Sequence, residues 1–549
     1  MTAAIFYHPE AYTTTDPKLM GRNAAGESFL RGFLTHSKSS QFWIQTENPT
    51  HSNLFSETAR HYGRSEDIRT ITKQTLGDLS QIGSIYYPSP NIGHYAYQRS
   101  AYGNTAWSLC GITHTTSSAK AMDAIASIPI APLNQWDALI CTSTSVKNNV
   151  KHILSAQIEY LKDRLGITRL VLPQLPVIPL GIHTKDFNFS EKKKSIARSN
   201  LGIDKNTVVI LFMGRLSFHA KAHPLAMYQS LERASKHTDK KIILIECGWH
   251  ANDHIKNSYI EAASLVCPSI KVLHLDGRDE ITRKMAWAAA DIFCSLSDNI
   301  QETFGITPIE AMASGLPVVV SDWDGYKETV RDQIDGFRIP TLMPQGGLGK
   351  DLALRHALEL DSYDLYCGYT SSLISIDIPS TTQAFITLFQ SPEIRIQMGK
   401  SGRERAEKFF DWSVIIPQYE KLWEELGKIR KTHSIENKPL KHPWPARLDP
   451  FYAFENYPTK VLTKNTVLAL VHNNLDDSIN HILTLKKLSM VNFSDVIQPT
   501  DKEIKILLTA LAEKPIPIEK IIEKFKINRK LFIFRSLNWL LKLGVLKII

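Results

Sequence analysis

Short apolar runs alternate with helix-length stretches along this chain, and the alternation occurs twice. The first series places apolar runs at residues 4–7, 42–45, 84–87, 107–113 and 138–142, and the second at 208–213, 241–246, 271–275, 291–295 and 317–321. Runs too short for helices, separated by stretches long enough to cross over a sheet, predict parallel strands joined by helices. Because the pattern restarts, and because 549 residues exceed what one core usually fills, two such domains are expected.

Between the series lies LPQLPVIPLGIHTKDF, residues 172–187, followed by the polar EKKKSIARSN. Its prolines predict an interdomain hinge. Beyond Gly336 the sheet signal fades, and residues 391–431 carry apolar positions at spacings of three and four, predicting one helical stretch long enough to lie across both domains. The expected organisation is an α/β chain with a Rossmann-like domain over 1–180 and a second over 181–430 that includes this crossover helix. A Pro-rich linker over 431–465 and a small, mainly helical domain over 466–549 follow. In the last, a helix from 518, a turn near 526–528, a second helix over 529–543, Gly544 and a short strand resemble a winged helix-turn-helix.

No apolar run approaches the roughly 20 residues that span a bilayer, and the N-terminus lacks a basic start and apolar core. A cytoplasmic protein is expected, with peripheral contact at the inner face of the membrane left open. Six cysteines without CxxC spacing read as buried reduced thiols. The net charge of +9 is uneven: residues 501–549 hold eleven Lys/Arg against five Asp/Glu. An acidic partner would therefore be sought at the tail, where Lys524, Lys526, Arg529 and Lys530 could meet phosphates. A protein-docking or packing role, with Phe532, Phe534, Trp539 and Leu541 in the core, is the preferred alternative for this tail.

The chemistry gathers at strand ends, where ligands bind in open parallel sheets. In DNIQETFGITPIEAMASG the loop after the 291–295 run carries Glu302, and a helix is expected over 307–314, offering the amides from Phe304 through Gly305 and Ile306 to Thr307 to an anion or to sugar hydroxyls. Glu310 lies eight positions after Glu302, and two carboxylates held there could accept from vicinal hydroxyls. Thr307, Pro308, Ile309 and Glu310 also spell a capping box, so Glu310 has a structural reading as well. In FMGRLSFHAKAHP, Arg215 and Lys221 follow a strand and a glycine, which is what a diphosphate requires. Gly26 stands among small residues read as preceding a helix, and His114 stands at the end of an apolar strand, either facing a substrate or satisfied by neighbouring hydroxyls.

The order of these pieces resembles glycosyltransferase family 4 on the GT-B fold, two Rossmann-like domains facing a cleft. VIPLGIHTKDF resembles that family's hinge, GRLSFHAK its cationic pair, ETFGITPIE its paired glutamates, and MGKSGRERAEKFFDW its crossover helix; the likeness covers roughly residues 1–430. The resemblance implies transfer of a sugar from a nucleoside diphosphate sugar with retention of configuration, to a glycan, a lipid-linked or a small-molecule acceptor. It implies that Arg215 and Lys221 hold the diphosphate with Gly26 beside it, and that Glu310 binds the ribose. Glu302 would take the donor sugar with the Phe304, Gly305 and Ile306 backbone, and His114 would face the acceptor, with Glu302 and His114 as the catalytic pair. The Arg-to-Lys spacing is one residue longer than in many members, and the usual glycine pair reads Ala25-Gly26. No cofactor and no metal are expected, since Asp322-Trp323-Asp324 offers a thin ligand set in a segment matching a family turn. Competing readings are a non-catalytic sugar- or nucleotide-binding regulator whose basic tail binds DNA or protein, and an epimerase or phosphorylase on the same fold.

Overall fold

Twelve strands form two parallel sheets of one design. The first contains β1 (Ala4–Phe6), β2 (Gln41–Gln45), β3 (Asp67–Ile71), β4 (Ser84–Tyr86), β5 (Ser108–Ile112) and β6 (Ala138–Ile140), in the order β3-β2-β1-β4-β5-β6. The second contains β7 (Val208–Met213), β8 (Ile242–Gly248), β9 (Lys271–Asp276), β10 (Ile292–Ser295), β11 (Val318–Ser321) and β12 (Gly336–Ile339), in the order β12-β11-β10-β7-β8-β9. Each order reverses direction beside its first strand, between β1 and β4 and between β7 and β10, and such reversals open a crevice at the strands' C-terminal ends. These observations come from a computed structural model that describes residues 2–13, 21–433, 441–472 and 474–549. The stretch 434–440 of the expected linker lies outside the described residues. The chain divides into two compact units after Trp444.

Strands β7, β8, β10 and β11 are buried at every position, as strands covered by helices on both faces must be. Two strands depart from the sequence expectation. β3 (DIRTI) is an edge strand in which only Ile71 is buried, so it lacks an apolar run. β12 continues the sheet where the signal was expected to fade. Its Gly336 allows the close pairing with β11, since a Cβ there would stand 1.9 Å from the Val318 carbonyl oxygen.

The long helical stretch is two helices, Pro392–Phe409 and Trp412–Thr432, broken where Asp411 caps the second by accepting from the Ser413 amide at 2.9 Å. The first packs on the second sheet's helix Ile306–Ala313, and Arg403 donates to the Ala313 and Ser314 carbonyls at its C-terminal end. The second returns to the first half. Trp412 is fully buried there, its indole donates to Ser28 Oγ at 2.7 Å, and Gly32 and Gly181 leave room for its ring. Burying a side chain of that size contributes about 3 kcal/mol. The hinge meets the same break: the Ile182 amide donates to the Phe410 carbonyl at 2.8 Å, the Trp412 amide donates to the Ile182 carbonyl at 3.1 Å, and Thr184 Oγ1 donates to Asp411 at 2.6 Å.

In the second unit, Val467–Leu470 pairs antiparallel with Ile516–Pro517 and Leu546–Ile548, beside helices Asp501–Leu511, Ile518–Ile522 and Lys530–Lys542. The core face of the last helix is Ile533, Leu537 and Leu540, while Phe532, Phe534, Trp539 and Leu541 sit at its margin rather than in it. Arg529 is not a free cation for a phosphate backbone. It is paired bidentately with Glu503 at 2.8 and 2.9 Å, and its guanidinium lies over the Phe532 ring. That pairing holds the Glu503 carboxyl down at about 2.

Candidate functional site

The second sheet brings together residues that lie far apart in the chain. β7 ends at Met213 and is followed by Gly214, whose φ of +149° releases the chain into the loop that carries Arg215 and Lys221. β10 lies directly beside β7, and the loop after it is packed inward through Ser297, Asp298 and Asn299 before reaching Glu302. Because the two strands are neighbours, Lys221 Nζ stands 2.5 Å from Glu302 Oε2. The longer Arg-to-Lys spacing therefore still delivers the ammonium to the carboxylate. Arg215 Nη2 donates to the Ala220 carbonyl at 2.9 Å and to Gln301 Oε1 at 3.2 Å, which places the guanidinium beside this pair.

Burial pushes the Glu302 carboxyl up, but the Lys221 charge, the Lys221 hydrogen bond and the Thr303 and Phe304 amides outweigh it and hold the group below its ordinary range. Glu302 is thus ionised. Two other acids in this region are displaced the opposite way by burial: Asp298, which accepts from the His223 amide at 3.3 Å, and Glu310, opposed only weakly by Arg283, are both pushed up to about 7.

Helix Ile306–Ala313 begins one residue earlier than its sequence suggests, and this removes the capping box. Gly305 is the cap residue, at φ +82°, with no side-chain cap bond, so Glu310 lies on the second turn and Thr307 caps nothing. Gly305 is required twice over: its φ suits glycine, and a Cβ would stand 1.9 Å from the Tyr326 ring. Tyr326 is fixed in turn by a 3.0 Å hydrogen bond between its hydroxyl and Ser295 Oγ. The buried Phe304 and the first turn from Ile306 therefore present backbone amides beside Glu302.

The first sheet supplies the opposite wall. His114 follows β5, and its carbonyl accepts from Thr303 Oγ1 at 3.2 Å, so it lies next to the Glu302 loop. Thr142 Oγ1, after β6, donates to the Thr303 carbonyl at 3.2 Å, and Ser143 Oγ donates to Asp324 Oδ1 at 2.9 Å. Asp324, at φ +42°, is pushed up to about 7, burial outweighing the Ser143 bond. Asp322 and Asp324 are thus engaged with protein partners, Arg338 at 3.5 Å and Ser143. Among the described residues, no group of three or more His, Cys, Asp or Glu side chains could hold a metal ion.

Gly26 is placed differently from its sequence reading. It stands inside helix Gly21–His36 rather than in a loop before one, and a Cβ there would lie 1.9 Å from the Ala11 carbonyl oxygen. Its small size serves helix packing. All six cysteines are buried and unpaired. Sequence reasoning missed Gln301, Thr303 and Ser143, isolated polar residues whose importance comes from contacts across the cleft, and weighed Asp324 only as a metal ligand; Asp298 could have been noticed as an acid directly after a buried strand. No described helix is long and apolar enough to cross a membrane.

Parts of the chain are similar to known proteins. Residues 193–345 match the family described as Glycosyl transferases group 1. The chain is 31% identical over 172 residues to an uncharacterized glycosyltransferase of Methanocaldococcus jannaschii, covering 30% of this chain and 40% of that one. It is 28% identical over 150 residues to a phosphatidyl-myo-inositol mannosyltransferase of Mycobacterium leprae, covering 27% and 30%. A third match, to a D-inositol 3-phosphate glycosyltransferase of Corynebacterium glutamicum, is 26% identical over 235 residues and covers 42% and 46%. The chain thus spans less than half the length of each of these relatives. In fold it is similar to the Anabaena protein HepE solved in complex with UDP, with a TM-score of 0.50, 14% identity, and coverage of 77% of this chain and 100% of that one. The chain carries a group 1 glycosyl transferase region built into a GT-B fold.

Proposed function

We propose that the chain is a retaining glycosyltransferase that moves a sugar from a nucleoside diphosphate sugar to an acceptor. The observation that carries this reading is the meeting of Lys221 and Glu302, with Arg215 alongside, at the reversal between β7 and β10. With donor bound, Lys221 exchanges Glu302 for the diphosphate, Arg215 turns its other N–H donors to it while keeping its bond to Gln301, and the two cations neutralise the charge that develops on it as the glycosidic bond to the leaving group breaks. Glu302, released from Lys221, accepts from hydroxyls of the donor sugar, and the amides at the start of helix Ile306–Ala313 stabilise the same region. Glu310, when ionised, accepts from the ribose hydroxyls. Gly26 has no part in this reading, because it is occupied by Ala11.

Retention of configuration rests on the family resemblance, as does the placing of His114 toward the acceptor. The names of the relatives, which include inositol phosphate and phosphatidylinositol glycosyltransferases, favour a polyol or a lipid-linked acceptor. The reaction is proposed to occur in the cytoplasm and to need no metal, since two protein cations face the diphosphate. A panel of UDP-, GDP- and ADP-sugars, scored by thermal stabilisation and by donor hydrolysis with and without a chelator, tests the reading. One nucleotide class should raise the melting midpoint and be turned over with or without chelator. Stabilisation by none of them would end the proposal.

A further inference from the structure

The chain makes an excursion between β12 and helix Ile378–Gln390. Its two ends pair as a short antiparallel ladder, Thr341 with Ile376 and Leu342 with Ser375, and it carries the helices Lys350–Ala357 and Tyr363–Ser371. The excursion is braced internally, with Arg355 paired bidentately to Asp361 at 2.7 and 2.8 Å and the His356 ring stacked on Tyr366. It is also seated on the donor-side loop. Gly368 lies against His219, where a Cβ would stand 2.9 Å from the His219 Cβ and 3.1 Å from its carbonyl oxygen, so this helix rests directly on the loop between Arg215 and Lys221.

From that seat Tyr363 reaches three polar groups on both sides of the cleft. Its hydroxyl oxygen accepts from Gln301 Nε2 at 3.2 Å, and it lies 3.0 Å from Ser117 Oγ and 3.4 Å from Thr115 Oγ1, both in the segment that follows His114. The other end of the Gln301 amide accepts from Arg215. An amide bonded at both ends cannot rotate without losing one bond, so the attitude of the guanidinium depends on the phenol. Burial pushes the phenol up from its ordinary range, so it stays protonated and can donate to Ser117 or Thr115 while accepting from Gln301.

We infer that Tyr363 is a positioning residue for the donor diphosphate: through Gln301 it fixes the Arg215 guanidinium, and through Ser117 and Thr115 it ties that cation to the opposite wall of the cleft. The inference rests on the proposed donor site and adds to it a residue outside every motif that points to that site. Loss of the hydroxyl should loosen one arm of the cationic pair while leaving Lys221 and the nucleoside contacts in place. The effect should therefore be confined to the part of the ligand that Arg215 meets.

The test compares UDP with UMP, GDP with GMP, and ADP with AMP, on the full chain by titration calorimetry. Wild type should prefer the diphosphate of one base. Tyr363→Phe, which keeps the ring and the helix, should lower the diphosphate-over-monophosphate affinity ratio about tenfold while monophosphate affinity stays within about twofold. Gln301→Leu, which removes the amide from the other side, should change the ratio in the same direction. An unchanged ratio in Tyr363→Phe, or an equal loss for both ligands, overturns the inference and leaves the donor site standing. A wild type with no preference for the diphosphate overturns the donor-site reading itself, and the inference with it.

Discussion

The two sheets share one strand order, yet different chemistry stands at their C-terminal ends. After β7 and β10 come Arg215, Lys221 and Glu302, with Glu310 on the following helix, whereas after β5 and β6 come Thr113, His114, Thr115, Ser117, Thr142 and Ser143. One half presents charge and the other presents hydroxyls. The hydroxyls face the charged loops: Thr142 holds the Thr303 carbonyl, Ser143 holds Asp324, and the His114 carbonyl receives the Thr303 hydroxyl. Strand order thus brings the same positions together in both halves, and the residues at the strand ends make one half charged and the other hydroxyl-bearing.

If that division is right, removing charge from the second half has the largest effect. Lys221→Ala and Glu302→Ala should each lower transfer by about 10²- to 10³-fold, the scale of losing a group that acts on developing charge, while the far-ultraviolet dichroism remains that of the folded chain. Turnover within a factor of about three in both variants would break the comparison.

A smaller effect should follow pH. Glu310, pushed up to about 7, must be ionised to accept from ribose, so nucleotide affinity should rise about tenfold between about pH 6 and pH 8 and lose that rise in Glu310→Gln. Stability should move the opposite way. Asp298, Glu310 and Asp324 all sit at about 7, above their ordinary carboxylate values, so the folded state binds more protons than the unfolded one. Their contribution is full below those ordinary values and is lost as pH rises through about 7, which a melting series across that range would record as a falling midpoint for the first unit. Glu503 in the second unit, held at about 2 by Arg529, contributes with the opposite sign: its share is present above the ordinary carboxylate value and is lost as pH falls toward 2.

The smallest effect belongs to the hydroxyl side. Ser143→Ala removes the bond to Asp324 and the cap bond that Ser143 Oγ accepts from the Val146 amide at 3.1 Å, and should cost about 1–2 kcal/mol of stability, with transfer reduced by less than about tenfold. It should also raise the Asp324 carboxyl further, since the Ser143 bond opposes the upward shift. A loss as deep as that of Lys221→Ala would mean that the first half takes part in the chemistry directly.

Much of this architecture was legible as sequence. β7, β8, β10 and β11 are mostly apolar and buried at every position because both faces are covered, with Glu246 the charged exception in β8, and Cys247 and Cys294 lie buried in them as Cys110 does in β5. β3 was not legible, because an edge strand with one buried residue carries almost no pattern, and β12 depends on Gly336 fitting under Val318 rather than on apolar residues. Lys221 and Glu302 could each be placed at a strand end, but their contact across 81 residues follows from β7 and β10 being neighbours, which no local spacing encodes. Gly26 and Glu310 show the reverse hazard. Each fitted a local motif, a glycine loop and a capping box, until a helix start displaced by a few residues changed its surroundings. Tyr363 belongs to no motif and Ser143 is locally a helix cap; the folded cleft gives each its distant partners.

The chain passes between the halves twice, at the hinge and at the break between helices Pro392–Phe409 and Trp412–Thr432, and the two passages are stitched together through Ile182, Phe410 and Trp412. Two tethers joined side by side behave as a pinned axle rather than as a string. They hold the halves against twist and separation more firmly than a single strand would. The effective concentration of one wall at the other stays high whether or not a ligand is present, so a ligand held between them has only to favour one angle of that axle.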